Sequence, residues 1–282
     1  METAEPERWR SFADHLALEQ VDGTAYVGSC LSGRGQRVFG GHVGAHAVVA
    51  AATSSASERV PRSIHLTFLS AGDCSEPVRY DATLLRGGRT LERWRVDASQ
   101  GSTLIATSVV ALDRVEESAA RHAVTAEGVD VDPEGLPSIA QAPRPGTSRT
   151  IRQAFDMREG VVVADDGSGS PQRDVWFRCT EVLPDDRALR AAVVVFASDL
   201  ELAWTADLPH VQKISARWAA SMDHTVWLHT DWDLKDWWLY RLRSPALEER
   251  RAFVTGEFHP RGEGASASVA QQALVRMTLR DG

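Results

Sequence analysis

SIHLTFLSAG at Ser63–Gly72 and MDHTVWLHTD at Met222–Asp231 state one pattern twice. Each surrounds a histidine, His65 or His224, with strand-forming residues, and each follows an apolar, helix-like run. Twelve residues after each histidine a second β-type segment opens, PVRYDATLL from Pro77 and DWWLYRLR from Asp236. Alternating runs then follow at Leu91–Ser99 (LERWRVDAS) and Arg250–Phe258 (RRAFVTGEF), equally far from their histidines. A helix followed by antiparallel strands, duplicated along one chain, reads as two similar α+β modules joined covalently. Duplication leaves one copy free to keep the chemistry while the other drifts.

At 282 residues the chain is long enough for two compact domains, each burying its own core. Hydrophobic residues make up 43% and charged residues 25%, a globular composition. A formal charge of −8 argues against nucleic-acid binding, which needs a basic patch. It leaves room for an anionic substrate met by a local arginine cluster. No apolar run reaches the roughly 18 to 20 residues of a membrane helix, so no membrane insertion is expected. METAEPERWRSFADHLALEQ at the start is acidic and helix-like, without a signal-peptide pattern. Cys30, Cys74 and Cys179 are scattered, with no redox or metal spacing. A reducing, cytoplasmic setting is therefore expected, and no cofactor.

Residues 113–150 are polar, rich in Pro, Gly, Ser and acidic side chains, and without sustained periodicity, which is linker composition. The expected division is 1–115 for the first module, 116–150 for the linker and 151–282 for the second module. ADDGSGSPQRD at 164–174 reads as an exposed loop, and ASASVAQQALVRM near the end as a closing strand. Two helices are expected. GGHVGAHAVVAAATSSA, from Gly40, is small-faced enough to approach a sheet closely. ALRAAVVVFASDLELAW, from Ala188, has Asp185 or Asp186 as N-cap and is apolar on most sides except at Asp199. An aspartate in such a place is paired or functional.

Several runs, in order, resemble the acyl-CoA thioesterase II (TesB-like) double-hotdog family: FGGHVGAHA (39–47), FLSAGD (68–73), VWFR (175–178), FASDL (196–200), SMDHTVWLH (221–229), DWWLY (236–240) and ASVAQQALVR (267–276). The resemblance implies two fused hotdog modules, each an antiparallel β-sheet wrapped around a long central helix. It also implies hydrolysis of acyl-CoA to a free fatty acid and CoA, and self-association as a dimer or tetramer. Carried over by motif, the catalytic residues are Asp199, Ser221 and Gln271. Gly41, His42 and His46 fall at substrate-binding positions. Many members have Thr where Ser221 stands, Gln at His42 and His46, and Arg-Pro in place of Ser70-Ala71.

The chemistry suits that trio. A thioester carbonyl is already electrophilic, so the task is to place a water and remove a proton. A carboxylate can act as the base, while a hydroxyl and a carboxamide offer donors and acceptors that orient the water. A G-x-S-x-G nucleophile elbow is absent, so no acyl-enzyme is expected. His42 and His46 share one helix face, but the intervening Val-Gly-Ala lacks a metalloprotease glutamate and no third ligand stands nearby, so no metal is expected. Arg86, Arg89, Arg93 and Arg95 are available for CoA phosphates, though a solvated face explains them equally well. Six of the nine tryptophans fall between Trp204 and Trp238, and some are expected to line an acyl channel. Two alternatives are a hotdog hydratase or dehydratase with His42 or His46 as base, and a non-catalytic acyl-thioester binding protein.

Overall fold

The computed structural model describes residues 10–33, 36–55, 58–117, 119–139, 149–164 and 170–279. In chain order the elements are α1 (Phe12–His15), β1 (Glu19–Asp22), β2 (Ala25–Gly28), α2 (Gly40–Ser54), β3 (Val60–Phe68), β4 (Val78–Gly87), β5 (Leu91–Gln100) and β6 (Thr103–Asp113). The second half adds α3 (Arg149–Arg152), β7 (Phe155–Val163), β8 (Gln172–Cys179), α4 (Arg187–Ser198), β9 (Ile214–Ser221), β10 (Asp223–Leu228), β11 (Trp238–Glu248), β12 (Arg251–Pro260) and β13 (Ala267–Leu279). Of the loop expected at 164–174, the last residues belong to β8, while 165–169 lie outside the described residues. Of the helix-like start, the described part is helical only at α1.

All strands join one antiparallel sheet in the order β1-β2-β4-β5-β6-β3-β10-β13-β12-β11-β8-β7, with β9 also on β13. The order reads the same from both ends toward the central β3–β10 pair, as two hotdog modules related by an approximate twofold require. Each module wraps its sheet around one helix, and α2 and α4 pack against each other in the middle.

Composition explains that close packing. α2 is nearly all Gly, Ala and Val, with His42 and His46 the only large polar groups on it. A Cβ at Gly41 would come within 2.6 Å of the Phe196 carbonyl, so only glycine permits this approach to α4. On α4, Val193, Val194, Val195 and Phe196 are all buried, each worth roughly 1.5–3 kcal/mol of transfer free energy. Asp186 caps the helix, accepting from the amides of Ala188 and Leu189 at 2.8 and 3.1 Å.

The ladders repeat one residue out of step with the histidines. A register irregularity before Arg86 in β4–β5 recurs before Ala246 in β11–β12. Leu69 and Ser70 both donate to the Ile105 carbonyl, at 2.9 and 3.2 Å; His229 and Thr230 both donate to that of Ser266, at 2.9 and 3.2 Å. These markers equate His224 with Ile64, not with His65. A strand alternates faces at every residue, so a one-residue offset sends His65 to the outer, exposed face and His224 to the core.

Candidate active site

β9 and β10 lie end to end along β13, interrupted at Met222. On one side of the break Ser221 pairs with Ala273; on the other Thr225 pairs with Ala270, which sets His224 against Gln271. The extra residue lets Ser221 and His224, three positions apart, face the same helix layer. Asp223 points out and accepts from the Gln272 amide at 2.8 Å. Of the two glutamines, Gln271 is the buried one, at 1% exposure.

Asp199 is the C-cap residue of α4, where the last helical turn meets the N-terminus of α2. Phe39 provides no side-chain cap for α2. Asp199 supplies one from the other module, its Oδ2 accepting from the Gly41 amide at 2.9 Å. The Ser221 hydroxyl bonds the same carboxylate. One side of Asp199 faces a cleft and the rest is enclosed by protein, and burial pushes its pKa above the ordinary aspartate value. His224, the Gly41 amide and Ser221 each oppose that rise.

Behind Asp199 runs a buried hydrogen-bonded chain. His224 Nδ1 bonds Gln271 Oε1 at 2.5 Å and its Nε2 bonds Ser198 Oγ at 2.7 Å. The Tyr240 hydroxyl donates to the Ser198 carbonyl at 2.8 Å, one residue before Asp199. Gly256 makes room for that ring, since a Cβ there would stand 2.3 Å from it. The structure thus brings Asp199 and Ser221 together at the cleft, and sets Gln271 one layer back, bonded to His224. Gln271 Nε2 has no protein partner among the described residues. Ser198 and Tyr240 fall within the runs FASDL and DWWLY, but nothing in those runs marks them individually; their roles come from the fold.

The cleft holds about 380 Å³ between the modules. Phe39, Gly40, Val43, Phe68 and Ile105 line it from the first module, and Asp199, Trp204, Trp218 and Ser221 from the second. Arg37 and Arg217 reach its rim. Arg217 stacks on Trp204 at 3.5 Å and is ion-paired with Asp207, whose pKa burial pushes up to about 6 against the pull of Arg217. Arg37 and Arg276 lie over Trp218, at 5.9 and 5.2 Å. Arg86, Arg89, Arg93 and Arg95 are not among the lining residues; Arg93 pairs with Asp113 and Arg95 with Asp97.

Gly41 touches Asp199, but His42 and His46 lie deeper in the first module, at 1% and 0% exposure. Both Nε2 atoms donate to the His15 carbonyl, at 2.7 and 2.9 Å. His42 Nδ1 accepts from the Leu31 amide at 2.9 Å, and His46 Nδ1 bonds the Tyr80 hydroxyl at 3.1 Å. Every ring nitrogen is committed, and the described residues contain no cluster of three or more potential metal ligands. Burial lowers the His42 pKa from 6.5 to about 4 and that of His46 well below 6.5. The unfolded chain takes up protons below pH 6.5 that the folded chain refuses. Stability from these groups is therefore complete above 6.5 and lost as pH falls toward 4, by about 3 kcal/mol from His42 alone. Urea midpoints measured from pH 7 to 4.5 should fall steeply in the parent and less in His42→Gln; parallel curves would refute the assignment.

Comparison with known proteins follows the same two-module division. A family model described as acyl-CoA thioesterase matches residues 147–274, and one described as acyl-CoA thioesterase N-terminal domain matches 31–112. The chain belongs to the TesB-like acyl-CoA thioesterase family. Acyl-CoA thioesterase 2 of Haemophilus influenzae is 28% identical, over 93% of this chain and 96% of that one. Mouse acyl-coenzyme A thioesterase 8 is 27% identical, over 93% and 88%. An acyl-CoA thioesterase II from Mycobacterium marinum superposes with a TM-score of 0.79 at 26% identity, covering 95% of this chain and 97% of its own. Among the described residues of this thioesterase-family chain, no helix is long and apolar enough to cross a membrane.

Proposed function

We propose that this thioester hydrolase cleaves acyl-CoA to free fatty acid and CoA by direct attack of water, with Asp199 as general base. The observation that carries this reading is one carboxylate bonded to both the Gly41 amide and Ser221 at the wall of a largely apolar cleft. Water held by Asp199 and Ser221 attacks the thioester carbon and gives its proton to Asp199. Negative charge develops on the carbonyl oxygen, and the positive end of α2 at Gly40 faces the cleft to stabilise it. Collapse of the tetrahedral intermediate breaks the C–S bond, and the proton passes to the departing CoA sulfur.

Gln271 acts as a positioning residue in this scheme. With its Oε1 held by His224, it braces Ser198 and hence the carboxylate beside it. Arg37 and Arg276, both over Trp218, suit the CoA phosphates. Deep burial of His42 and His46 disfavours a hydratase that would use either as base. Release of free thiol from short, medium and long acyl-CoAs tests the reading: hydrolysis frees CoA, hydration does not, and a binding protein saturates without turnover.

A cytoplasmic setting remains our reading, and no disulfide forms among the described residues. Self-association as a dimer or tetramer is also part of the proposal. β1, the outermost strand of the first module, has one strand partner and offers an open edge. The outer side of β7 is instead bonded to the segment 137–139, the Glu159 amide donating to the Pro137 carbonyl and the Ile139 amide to that of Met157. Light scattering at micromolar concentration should give a mass of at least two chains; a strict monomer would overturn this point.

A further inference from the structure

A second cavity, of about 860 Å³, opens at the other end of the helix pair, near the start of α4. It is the approximate-twofold counterpart of the catalytic cleft. The stretch Leu228–Trp232 lines it where Phe68–Gly72 lines the cleft, and the two stretches carry the matching pairs of amides on Ser266 and Ile105. Pro61, opposite Leu112, stands where Ser221 stands opposite Ala273. Ile64 and Val110 stand where His224 meets Gln271. α2 contains no acidic residue to match Asp199. The hydrolytic groups are thus absent from this copy, one by one, while the cavity persists.

What persists has a definite chemistry. Val194, Leu228, Trp232 and Leu234, at 2%, 8%, 8% and 1% exposure, form an apolar floor. Val115 and Val124, at 54% and 74% exposure, carry the apolar surface out to the mouth. Arg62, Arg121 and Arg187 stand at the rim. Of the rim acids, Asp231 is shared by Arg190 at 2.6 Å and Arg187 at 3.6 Å, and Glu257 lies in the field of Arg241 and Arg243. Among the described lining residues, Arg62 and Arg121 then stand against Glu116, and the rim keeps a net positive charge. An apolar pocket of several hundred Å³ with a cationic rim selects an amphipathic anion.

We propose that this cavity binds a fatty acid, its carboxylate at the arginine rim, and does not turn it over. The inference goes beyond the hydrolase reading and does not depend on it. Equilibrium dialysis of radiolabelled laurate against the full chain provides the test. Laurate binding should survive Ser221→Trp, which fills the catalytic cleft and stops CoA release. Arg121→Glu/Arg187→Glu, two exposed side chains, should weaken the same binding about tenfold or more and leave CoA release unchanged. Ala123→Trp, on the linker wall, should give the same loss by filling the space, so the test stands if the charge-reversed chain does not fold. Binding indifferent to both changes, or lost with Ser221→Trp, would overturn the proposal. Displacement of laurate from the Ser221→Trp chain by a thioether analogue of lauroyl-CoA would assign the cavity to the thioester and overturn the free-acid reading. If no acyl-CoA is hydrolysed at all, the dialysis result still decides this question.

Discussion

Asp199→Asn is expected to fold, to gain stability at neutral pH and to lose about 10²- to 10⁴-fold in acyl-CoA hydrolysis, the range a general base supplies. Activity falls because an amide cannot accept the proton of the attacking water. Folding survives because the asparagine oxygen still accepts from the Gly41 amide that Asp199 now caps. The gain in stability follows from the direction of the pKa shift. Burial raises the folded-state pKa of Asp199, so its favourable contribution is complete below the unfolded value and is lost as pH rises through the folded one. Near neutrality the parent bears that penalty and the asparagine variant does not. For the same reason the acid limb of kcat/KM should lie above the ordinary carboxylate range. Thiol release measured across pH, beside urea midpoints at pH 7, checks both halves. A variant that releases CoA at the parent rate removes Asp199 from the mechanism.

The sequence makes Asp199 legible because local rules conflict there: a carboxylate ends a helix whose last turns are entirely buried. It also exposes the duplication, since alternation and spacing survive divergence. The register of that duplication is less accessible. His65 and His224 align as letters, but the irregularity at Met222, matched by one between Pro61 and Ser63, and the paired amides at Leu69 and His229 place the true equivalence one residue away. A bulge leaves almost no trace in composition, and it alone decides which face a side chain meets. Gln271 shows a further limit. Motif order assigns it to the site, yet its place behind Asp199, through His224 and Ser198, depends on contacts between residues far apart in the chain. The cleft arginines were hidden for the same reason: Arg37 and Arg217 share no local pattern, whereas the conspicuous cluster from Arg86 to Arg95 lies elsewhere.

Glu201→Gln should be the most destabilising single change near the site, by about 3–5 kcal/mol, the effect of breaking a buried ion pair from one side. Glu201 is 2% exposed and receives Arg152 on one oxygen and Arg173 on the other. Arg152 also donates to the Ile139 carbonyl, and Arg173 to Glu159 at 2.9 and 2.6 Å. The backbone of Glu201 is left-handed, at φ 64°, a conformation that a non-glycine residue keeps only where its surroundings enforce it. Two buried guanidinium groups therefore hold the turn that leaves α4 just after Asp199. Neutralising Glu201 removes the carboxylate that both buried cations share and leaves Arg173 only the partly exposed Glu159, whereas Arg152→Gln or Arg173→Gln keeps the other guanidinium on Glu201 and should cost less. Glu159, with its side chain 32% exposed, provides the contrast: Glu159→Gln should cost no more than about 1 kcal/mol, since water replaces much of what is lost. Urea midpoints rank the four variants. If Glu201→Gln and Glu159→Gln unfold together, the paired arginines are not what fixes the turn, and the placement of Asp199 must rest on the Ser198–His224–Gln271 chain alone.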